Sequence, residues 1–521
     1  MGHFGRFCGL AAALYAVGIL WLVVIQRDGP PHHEFIVPPA IPATLVIPST
    51  GADRVAPGRL PEIVPLEERP PAVLLVHGYS NDRLIMRHLG RRLADAGYGV
   101  LSIDVRGHGQ NRVPFARDPD GAHLFEDVAA AADWLRTAAW VDGSRLAVVG
   151  FSMGGSAAQR FAERDSGVDA TVLISGARGL LGPYRPPNTL ILWGSADPER
   201  IRVRSSRIAA ALAGEESVKF GVTYGDLAAR NAVRAEELAG YDHATVVLGE
   251  AAAASTIDWL DAAFEIERAS APNLRNPLLT PTLVLALLLI PVLLGIGQIV
   301  GALAPQEAAA ASDGSPWAGL VWFTVALGVG LAGVAAAPLA SFVAQDVSEV
   351  VAAFLAIAGT SALVSSLLHG RAVVGEWVAR SAGVGALGFG AVYVVLTPLA
   401  EFLHRMTLTP ERAIAGVVIT LLLFPFFLAA EGLLHRGRWP VALAAGLAGR
   451  FVTIGVLVAG ISLGIVPPVV SLLLAPLVVV LLLGEFVAIT SYAASYNRVA
   501  GAVLQAAWLG WMLAVVMPMR A

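Results

Sequence analysis

Long apolar runs fill the C-terminal half of the chain and dictate what this half can fold into. Residues 278–518 contain about eight runs of roughly 20 residues, the length that crosses the hydrocarbon core of a bilayer as a helix. The loops between them are short, as in a compact polytopic bundle. The runs lie near residues 278–304, 317–343, 349–368, 383–403, 413–434, 441–464, 466–490 and 499–518. The sequence therefore predicts a helical transmembrane bundle over residues 278–518.

A further apolar stretch lies near the N-terminus. Residues 9–25 carry no charge, and they are flanked by Arg6 and Arg27. Because no small-x-small cleavage site follows, we interpret residues 1–27 as a retained transmembrane signal anchor rather than a removed signal peptide. The proline-rich residues 28–70 are interpreted as a stiff linker and an edge hairpin of the next domain, with one strand near 43–47.

The composition excludes several classes of protein. Hydrophobic residues make up 56% of the 521 residues and charged residues 15%, which argues against a wholly soluble protein. The net charge is −4 and there is no basic block, so nucleic acid is not an expected partner. The single cysteine, Cys8, excludes an internal disulfide framework and a cysteine-rich metal site.

Strand and helix signals alternate over residues 71–268. This alternation predicts a mainly parallel sheet with helices on both faces, and ligands then bind at the carboxyl ends of the strands. The predicted strands are 73–76, 98–103, 146–149, 171–174 and 189–193, and the predicted helices are 82–96, 123–140, 156–164, 201–212 and 245–264.

One of these strands leads into a Gly-x-Ser-x-Gly motif at residues 150–154. A strand, a tight turn and a helix in this order are what a nucleophile elbow requires. Glycines flank the serine because the turn leaves no room for a Cβ on either side. The helix N-terminus that follows favours negative charge beside the hydroxyl. The sequence therefore predicts Ser152 to be a nucleophile.

A serine hydroxyl needs an adjacent base, and the base needs an orienting carboxylate. Asp197 follows the predicted strand 189–193, and His243 directly precedes the last predicted helix. The order Ser152, Asp197, His243 is the one that this architecture demands. We predict that His243 is the general base and that Asp197 orients it.

The sequence leaves alternatives open. Asp197 also fits a helix N-cap with Pro198 at the first helical position, and His243 also fits a solvated loop. Asp226 and Asp242 are alternative acids. The competing histidines precede the serine and are His77, His108 and His123.

An acyl-transfer intermediate needs two backbone N–H donors for its oxyanion. We predict one from Met153, directly after the nucleophile, and one from Tyr79, in the loop after the first core strand. His77 is then expected to hold the shape of that loop. The alternative is a plain strand-to-helix turn.

Five motifs within residues 71–265 together resemble the α/β-hydrolase superfamily. They are His-Gly at 77–78, Asp-x-Arg-Gly-His-Gly at 104–109, the elbow at 150–154, Trp-Gly-Ser-Ala-Asp at 193–197 and Asp-His at 242–243. The dienelactone-hydrolase-like and serine-peptidase-like members are the most similar subgroup. The resemblance implies an α/β-hydrolase fold with a serine triad and a structural role for His108, and it does not separate ester, thioester and amide substrates.

Two features depart from that pattern. The superfamily places its last strand near residues 228–238, where this chain has poor strand propensity, so we expect an irregular sheet edge. The segment between residues 174 and 189 is too short for a helical lid, so the site is expected to be open or covered by something else. Our hypothesis is that the membrane bundle supplies the cover.

Charged residues inside apolar runs attract functional hypotheses because they are costly there. Arg450 either sits at mid-membrane facing a partner or marks a break between two short segments. Glu401 with His404, and Glu431 with His435, are spaced to share a helix face. Each pair is interpreted as a helix end at the water interface, with a buried carboxylate–histidine metal site as the alternative.

The sequence thus predicts a membrane-bound serine hydrolase that cleaves an acyl ester without a metal or organic cofactor. A small-molecule or lipid acyl compound is the expected partner, and a lipidic or amphiphilic ester suits a site tethered at a bilayer. A transporter- or scaffold-type membrane protein with an accessory hydrolase-fold domain, and a transacylase, are the alternatives. Arg6 and the loop arginines favour a hydrolase domain on the outer side of a bacterial-type cell membrane.

Overall fold

The computed structural model shows two compact units. It describes residues 3–27, 30, 32–48, 69–116, 122–179, 184–268, 274, 278–306, 315–336, 345, 347–368 and 378–520. The sheet unit comprises Leu22–Leu279, Glu401–Arg405 and Pro518–Ala521, and the bundle unit comprises Met1–Trp21, Thr280–Ala400 and Met406–Met517. The structure does not describe residues 49–68 of the predicted linker or residues 180–183 of the short segment before residue 189.

A nine-stranded sheet forms the centre of the sheet unit, in the order β1-β2-β4-β3-β5-β6-β7-β9-β8. The strands are β1 (His32–Val37), β2 (Ile41–Val46), β3 (Pro71–Val76), β4 (Gly99–Ile103), β5 (Asp142–Phe151), β6 (Val168–Ile174), β7 (Thr189–Gly194), β8 (Thr223–Tyr224) and β9 (Val233–Leu238). Six neighbouring strands are parallel, in the order β4, β3, β5, β6, β7 and β9. At the two edges, β1, β2 and β8 pair antiparallel. The fold predicted from alternation is therefore confirmed.

Helices follow the strands and cover both faces of the sheet. Within the described residues the helices are α1 (His3–Arg27), α2 (Arg87–Asp95), α3 (Ala122–Thr137), α4 (Met153–Ala162), α5 (Glu199–Ala213), α6 (Glu250–Ala263), α7 (Leu279–Leu303), α8 (Pro316–Ala336), α9 (Ser348–Leu368), α10 (Val378–Ala400), α11 (Pro410–Leu434), α12 (Trp439–Ser462), α13 (Leu474–Ser495) and α14 (Arg498–Val516). Helices α3, α4 and α5 pack on one face of the sheet, and α2 and α6 pack on the other. The β-branched and leucine residues of the parallel strands are fully buried between these two layers, as expected for strands covered on both faces.

The last parallel strand corrects one prediction from the sequence. Residues 233–238 form β9 in regular parallel register with β7, so the expected irregular edge is wrong. The charged residues of this strand are tolerated because each has a partner: Arg234 lies over the Trp259 ring, and Glu236 accepts a hydrogen bond from Ser255. Tertiary contacts have overridden a weak local propensity here.

The helix predicted at 82–96 begins as a 3₁₀ turn at Arg83–Met86 and continues as α2. Asp82 caps it, since its side chain accepts a hydrogen bond from the N–H of Leu84 at 2.7 Å.

Nine helices of the described residues, α1 and α7 to α14, are long and apolar enough to cross a membrane. Small residues let the helices of the bundle unit approach closely, as in membrane bundles generally. For example, a Cβ on Gly359 would overlap the backbone of Phe426 on a neighbouring helix.

The structure also settles the place of Arg450. Helix α12 is continuous from Trp439 to Ser462, with Arg450 at its middle and 1% exposed. The alternative of a break between two short segments is therefore wrong. Glu431 and His435 lie at the C-terminal end of α11, as predicted, but both are 1% exposed and therefore do not face water.

Candidate active site

Ser152 lies on a strained turn between the central strand β5 and helix α4. Its backbone has φ of 51° and ψ of −115°, a conformation that non-glycine residues rarely adopt. A Cβ on Gly150 would overlap the carbonyl of Gly154, and a Cβ on Gly154 would overlap the carbonyl of Val76. Both glycines of the motif are therefore required by close backbone approach, and together they define a nucleophile elbow.

Three of the predicted site residues form one hydrogen-bonded line. The Oγ of Ser152 lies 3.0 Å from Nε2 of His243, and Nδ1 of His243 lies 2.7 Å from Oδ1 of Asp197. Asp197 is 3% exposed, whereas the side chain of His243 is 16% exposed. The ring of His243 also packs beside Phe151, with ring centroids 5.3 Å apart. This arrangement can pass the serine proton to the imidazole and hold the resulting charge beside a buried carboxylate.

The second oxygen of Asp197 has two donors that the sequence did not reveal. Oδ2 accepts a hydrogen bond from the Ser175 hydroxyl at 2.6 Å and from the N–H of Gly194 at 2.9 Å. These bonds leave Oδ1 for His243 and fix the orientation of the carboxylate. The only signal for Ser175 in the sequence was its place directly after a predicted strand, at the edge of the sheet where ligands bind.

The alternative acids have other roles in the structure. The carboxylate of Asp242 caps its own turn by accepting hydrogen bonds from Ala244 and Thr245, which lower the pKa of Asp242. Asp226 accepts a hydrogen bond from the N–H of Ala228. Neither residue forms the short contact to His243 that Asp197 makes.

The predicted oxyanion loop lies against the elbow. A Cβ on Gly78 would lie 3.2 Å from the Cβ of Ser152, so the loop that carries Tyr79 passes beside the nucleophile. Met153 is the first residue of α4 and follows the nucleophile directly. Both predicted donors thus lie on the two backbone segments that border the serine.

His77 ties this loop to the segment after β4. It is fully buried, Nδ1 lies 2.8 Å from the carbonyl oxygen of Gly78, and Nε2 lies 3.2 Å from the N–H of Val105. These partners assign the proton to Nδ1, and burial lowers the pKa of His77, which keeps the ring neutral. His108 packs against both His77 and Tyr79, with ring centroids 5.3 Å and 5.8 Å away. The two histidines are therefore in structural positions, and His123 is exposed on α3.

Two short segments from late in the chain complete the sheet unit around this loop. Asp82 accepts a hydrogen bond from the N–H of Arg405 at 2.5 Å and lies 3.1 Å from Nδ1 of His404. Burial by itself raises the pKa of Asp82, but His404 and the N–H donors lower it on balance. Met519 exchanges backbone hydrogen bonds with Gly107 and Phe115 at 2.8 Å and 2.7 Å. Neither contact is predicted from the sequence.

A metal site at Glu401 and His404 is the alternative that the sequence leaves open. Among the residues that the structure describes, no three His, Cys, Asp or Glu side chains form a group arranged to hold a metal ion.

Part of the chain is similar to known proteins. Residues 67–285 match the sequence model of the family described as "Serine aminopeptidase, S33". An uncharacterised protein of Mycobacterium tuberculosis is 36% identical over 88 residues, which are 17% of this chain and 30% of that relative. The chain therefore matches less than a third of the length of that relative.

Solved structures also resemble the chain. A puromycin-hydrolysing peptidase of Mycobacterium tuberculosis is 19% identical, with 47% of this chain and 41% of that chain covered and a TM-score of 0.33. A putative dienelactone hydrolase of Klebsiella pneumoniae is 20% identical, with 46% and 100% covered and a TM-score of 0.31.

The family match, the parallel sheet and the elbow after its central strand lead to one assignment. The sheet unit of this chain has the α/β-hydrolase fold.

Proposed function

We propose that this chain is a membrane-bound serine hydrolase that cleaves an acyl ester. The observation that carries the proposal is the line from Ser152 Oγ through His243 to Asp197, with contacts of 3.0 Å and 2.7 Å. A hydroxyl within reach of an imidazole, which is itself oriented by a buried carboxylate, is the arrangement that activates a serine at neutral pH.

In the proposed reaction, Ser152 Oγ attacks the acyl carbonyl carbon while His243 Nε2 takes the hydroxyl proton. The carbonyl electrons move onto the oxygen, which accepts hydrogen bonds from the N–H groups of Met153 and Tyr79. When the intermediate collapses, the bond to the leaving alkoxide breaks and His243 returns the proton to it. Water, deprotonated by His243, then attacks the acyl-enzyme, releases the acid and regenerates Ser152.

Asp197 stays ionised throughout this cycle. Its two further donors, Ser175 and Gly194, hold the carboxylate in place while its other oxygen faces the imidazole. The carboxylate thereby stabilises the imidazolium that forms during each proton transfer.

The substrate proposed is a small-molecule or lipidic acyl ester, because the hydrolase unit is joined to helices that are apolar enough to span a bilayer. A peptide amide is the second candidate, which the description of the matching family favours. A transacylase differs only in the acceptor that attacks the acyl-enzyme.

Labelling with a fluorophosphonate tests the proposal. Full-length protein in detergent is labelled beside the variants Ser152→Ala and His243→Ala, with Ser156→Ala as the matched control on the same helix. We expect strong labelling of the wild type and the control, none of Ser152→Ala, and at least about a hundredfold slower labelling of His243→Ala. Folded wild type that never labels would overturn the proposal.

The substrate class is then tested by hydrolysis assays. The fraction of protein that the fluorophosphonate labels in a parallel sample gives the concentration of active sites. Hydrolysis is measured on 4-nitrophenyl esters of increasing acyl length and on amino-acid 4-nitroanilides. Turnover of esters with preference for longer chains supports the lipidic ester, whereas turnover of the anilides alone supports the peptidase. Product esters formed on adding an alcohol acceptor identify transacylation.

A further inference from the structure

Five polar side chains lie together inside the bundle unit. Glu431 is in the last turn of α11 and His435 directly follows that helix, while Arg450, Glu485 and Gln505 lie within α12, α13 and α14. Each is at most 2% exposed. We call these five residues the buried ring. Their burial among apolar helices is costly unless every charge has a partner.

The contacts between these side chains close into a ring. His435 Nε2 lies 2.5 Å from Oε1 of Glu485, and Oε2 of Glu485 accepts a hydrogen bond from Arg450 Nε at 3.0 Å. Arg450 Nη2 donates to Oε1 of Gln505 at 2.9 Å, and Gln505 Nε2 donates to Oε1 of Glu431 at 2.8 Å. Oε2 of Glu431 lies 2.5 Å from His435 Nδ1, an ion-pair distance at an angle outside hydrogen-bond geometry.

The ring requires one exchangeable proton. An ionised carboxylate only accepts hydrogen bonds and a guanidinium only donates them. Both ring nitrogens of His435 lie 2.5 Å from carboxylate oxygens, so both close contacts are favourable when the imidazole is protonated and positively charged. Two carboxylates, one guanidinium and one imidazolium then sum to zero charge. Without that proton the ring would hold one uncompensated negative charge between the helices.

The surroundings of the ring are built for these side chains. A Cβ on Gly446 would overlap the Glu485 carboxylate, and a Cβ on Gly501 would lie 3.2 Å from Oε1 of Glu431. Arg450 also lies over the rings of two phenylalanines of α11, with distances of 5.8 Å and 5.1 Å to the centroids. Glycines thus make room for the carboxylates, and the guanidinium of Arg450 packs on the faces of two aromatic rings.

Other ionisable groups near His435 are few in the part of the bundle that the structure describes. From α13, the ring of Tyr492 packs on His435 at 5.3 Å, and Tyr496 lies beyond it. From α14, Nη2 of Arg498 reaches the backbone oxygen of His435 at 3.5 Å. The carboxylates that face the imidazole are those of the ring itself.

We propose that the buried ring is a proton-binding site of the bundle, at which a single proton on His435 lies between the Glu431 carboxylate of α11 and the Glu485 carboxylate of α13. His435 and the two carboxylates beside it are at most 1% exposed. Without this proton, the charges of Glu431, Glu485 and Arg450 leave one negative charge buried between the helices, so the folded bundle favours the protonated ring.

A charge-balance experiment on the full chain in detergent tests this site. His435→Gln removes the proton carrier and leaves a net negative ring, whereas Glu431→Gln added to it restores neutrality. Thr453→Val, which removes a buried hydroxyl of α12 outside the ring, is the control. We expect a melting temperature on the order of 10 °C lower for His435→Gln, most of which the double variant recovers, and little change for the control. A double variant no more stable than His435→Gln would overturn the proposal.

A pH series gives the second readout. The wild-type ring has a proton to lose, while the ring of the double variant has none. We expect the melting temperature of the wild type to fall relative to the double variant as the pH is raised above neutral, because the unfolded chain then gives up a proton that the folded ring still holds. A difference between the two that does not change with pH would contradict the proposal even if both proteins fold. Fluorophosphonate labelling of each variant reports separately on the hydrolase unit.

Discussion

Ser175 lies outside every motif that points to the hydrolase site, yet its hydroxyl holds the carboxylate of Asp197. The serine follows β6 and the aspartate follows β7, and these strands are neighbours in the sheet. The carboxyl ends of parallel strands meet at one edge, so residues 22 positions apart in the chain come within 2.6 Å. Individual side chains thus acquire their roles from strand order rather than from sequence spacing.

Ser175→Ala is expected to slow ester hydrolysis about tenfold and to lower stability, because it removes one hydrogen bond to a charged carboxylate worth about 1.5–3 kcal/mol. The measurement is kcat/KM on the best ester of the panel, normalised to fluorophosphonate labelling. Ser205→Ala is the matched control, since Ser205 is a buried serine whose hydroxyl has no hydrogen-bond partner among the described residues. An unchanged rate for Ser175→Ala would show that the second oxygen of Asp197 needs no such donor.

The sheet unit is predicted to lose stability in acid, because it contains a buried histidine in α2. Burial, followed by the charges of Arg92 and Arg91, lowers the pKa of His88 to about 4. The unfolded chain takes up this proton near pH 6.5, whereas the folded unit resists it until about pH 4. Stability is therefore lost as the pH falls through this window, by roughly 2 kcal/mol at about pH 5.

His88→Gln is expected to reduce that acid sensitivity. Samples are heated at about pH 7 and about pH 5, cooled, and labelled with fluorophosphonate at neutral pH, so that the temperature of half-loss is compared between the two conditions. His123→Gln, which changes an exposed histidine of α3, is the control and should behave as the wild type. Equal acid sensitivity in His88→Gln and the wild type would refute the role given to His88.

At the scale of elements, the loops and helix ends depart most from what the sequence predicts. Arg412 directly precedes the predicted apolar run 413–434, but it lies in the first turn of α11 and is 2% exposed. Its Nη1 donates to the carbonyl oxygens of Ala514, Val515 and Met517 at 2.6 Å, 2.8 Å and 2.8 Å. A cation at the C-terminal end of α14 satisfies the last carbonyls and complements the helix dipole.

Arg412→Gln is therefore expected to destabilise the bundle unit by about 3 kcal/mol, because it leaves these carbonyls with a weaker donor. The melting temperature of the full chain in detergent measures the loss. Arg380→Gln, which changes an exposed arginine in the first turn of α10, should have almost no effect. Similar melting temperatures for the two variants would show that the capping contacts contribute little.

At the scale of the whole molecule, the sheet unit is made of three separate segments of the chain, and this restricts the membrane topology of the helices between them. Among the described residues, four long apolar helices, α7 to α10, lie between Leu279 and the segment Glu401–Arg405, and eight, α7 to α14, lie before Pro518–Ala521. Both numbers are even. If every one of these helices spans the membrane, all three parts of the sheet unit lie on the same side, as one compact unit requires.

The side itself is a prediction from charge, with the hydrolase unit outside. It is tested in a Cys8→Ser background by adding one cysteine at a time and labelling intact cells with a membrane-impermeant maleimide. Tyr184→Cys, at a position 69% exposed in the sheet unit, is expected to label directly. Arg438→Cys, between α11 and α12, is expected to label only after permeabilisation. The reverse pattern would place the hydrolase unit in the cytoplasm.

The sequence by itself determined the features that depend on local pattern. Apolar run length predicted the long helices, alternation predicted the parallel sheet, and Gly150 and Gly154 marked a turn that only glycine can flank. The order of Ser152, Asp197 and His243 then singled out three residues that the structure brings into one hydrogen-bonded line. Their catalytic roles remain the proposal that labelling tests.

Only the tertiary structure decided the features that depend on which elements become neighbours. The strand β9 exists because β7 and the helix α6 provide partners for residues with weak strand propensity. Ser175 reaches Asp197 because β6 and β7 are adjacent, and Arg450 reaches Glu485 and Gln505 because α12, α13 and α14 pack together. Spacing along the chain carries no information about such contacts, since a buried charge is stabilised by whatever partner the packing of the elements places beside it.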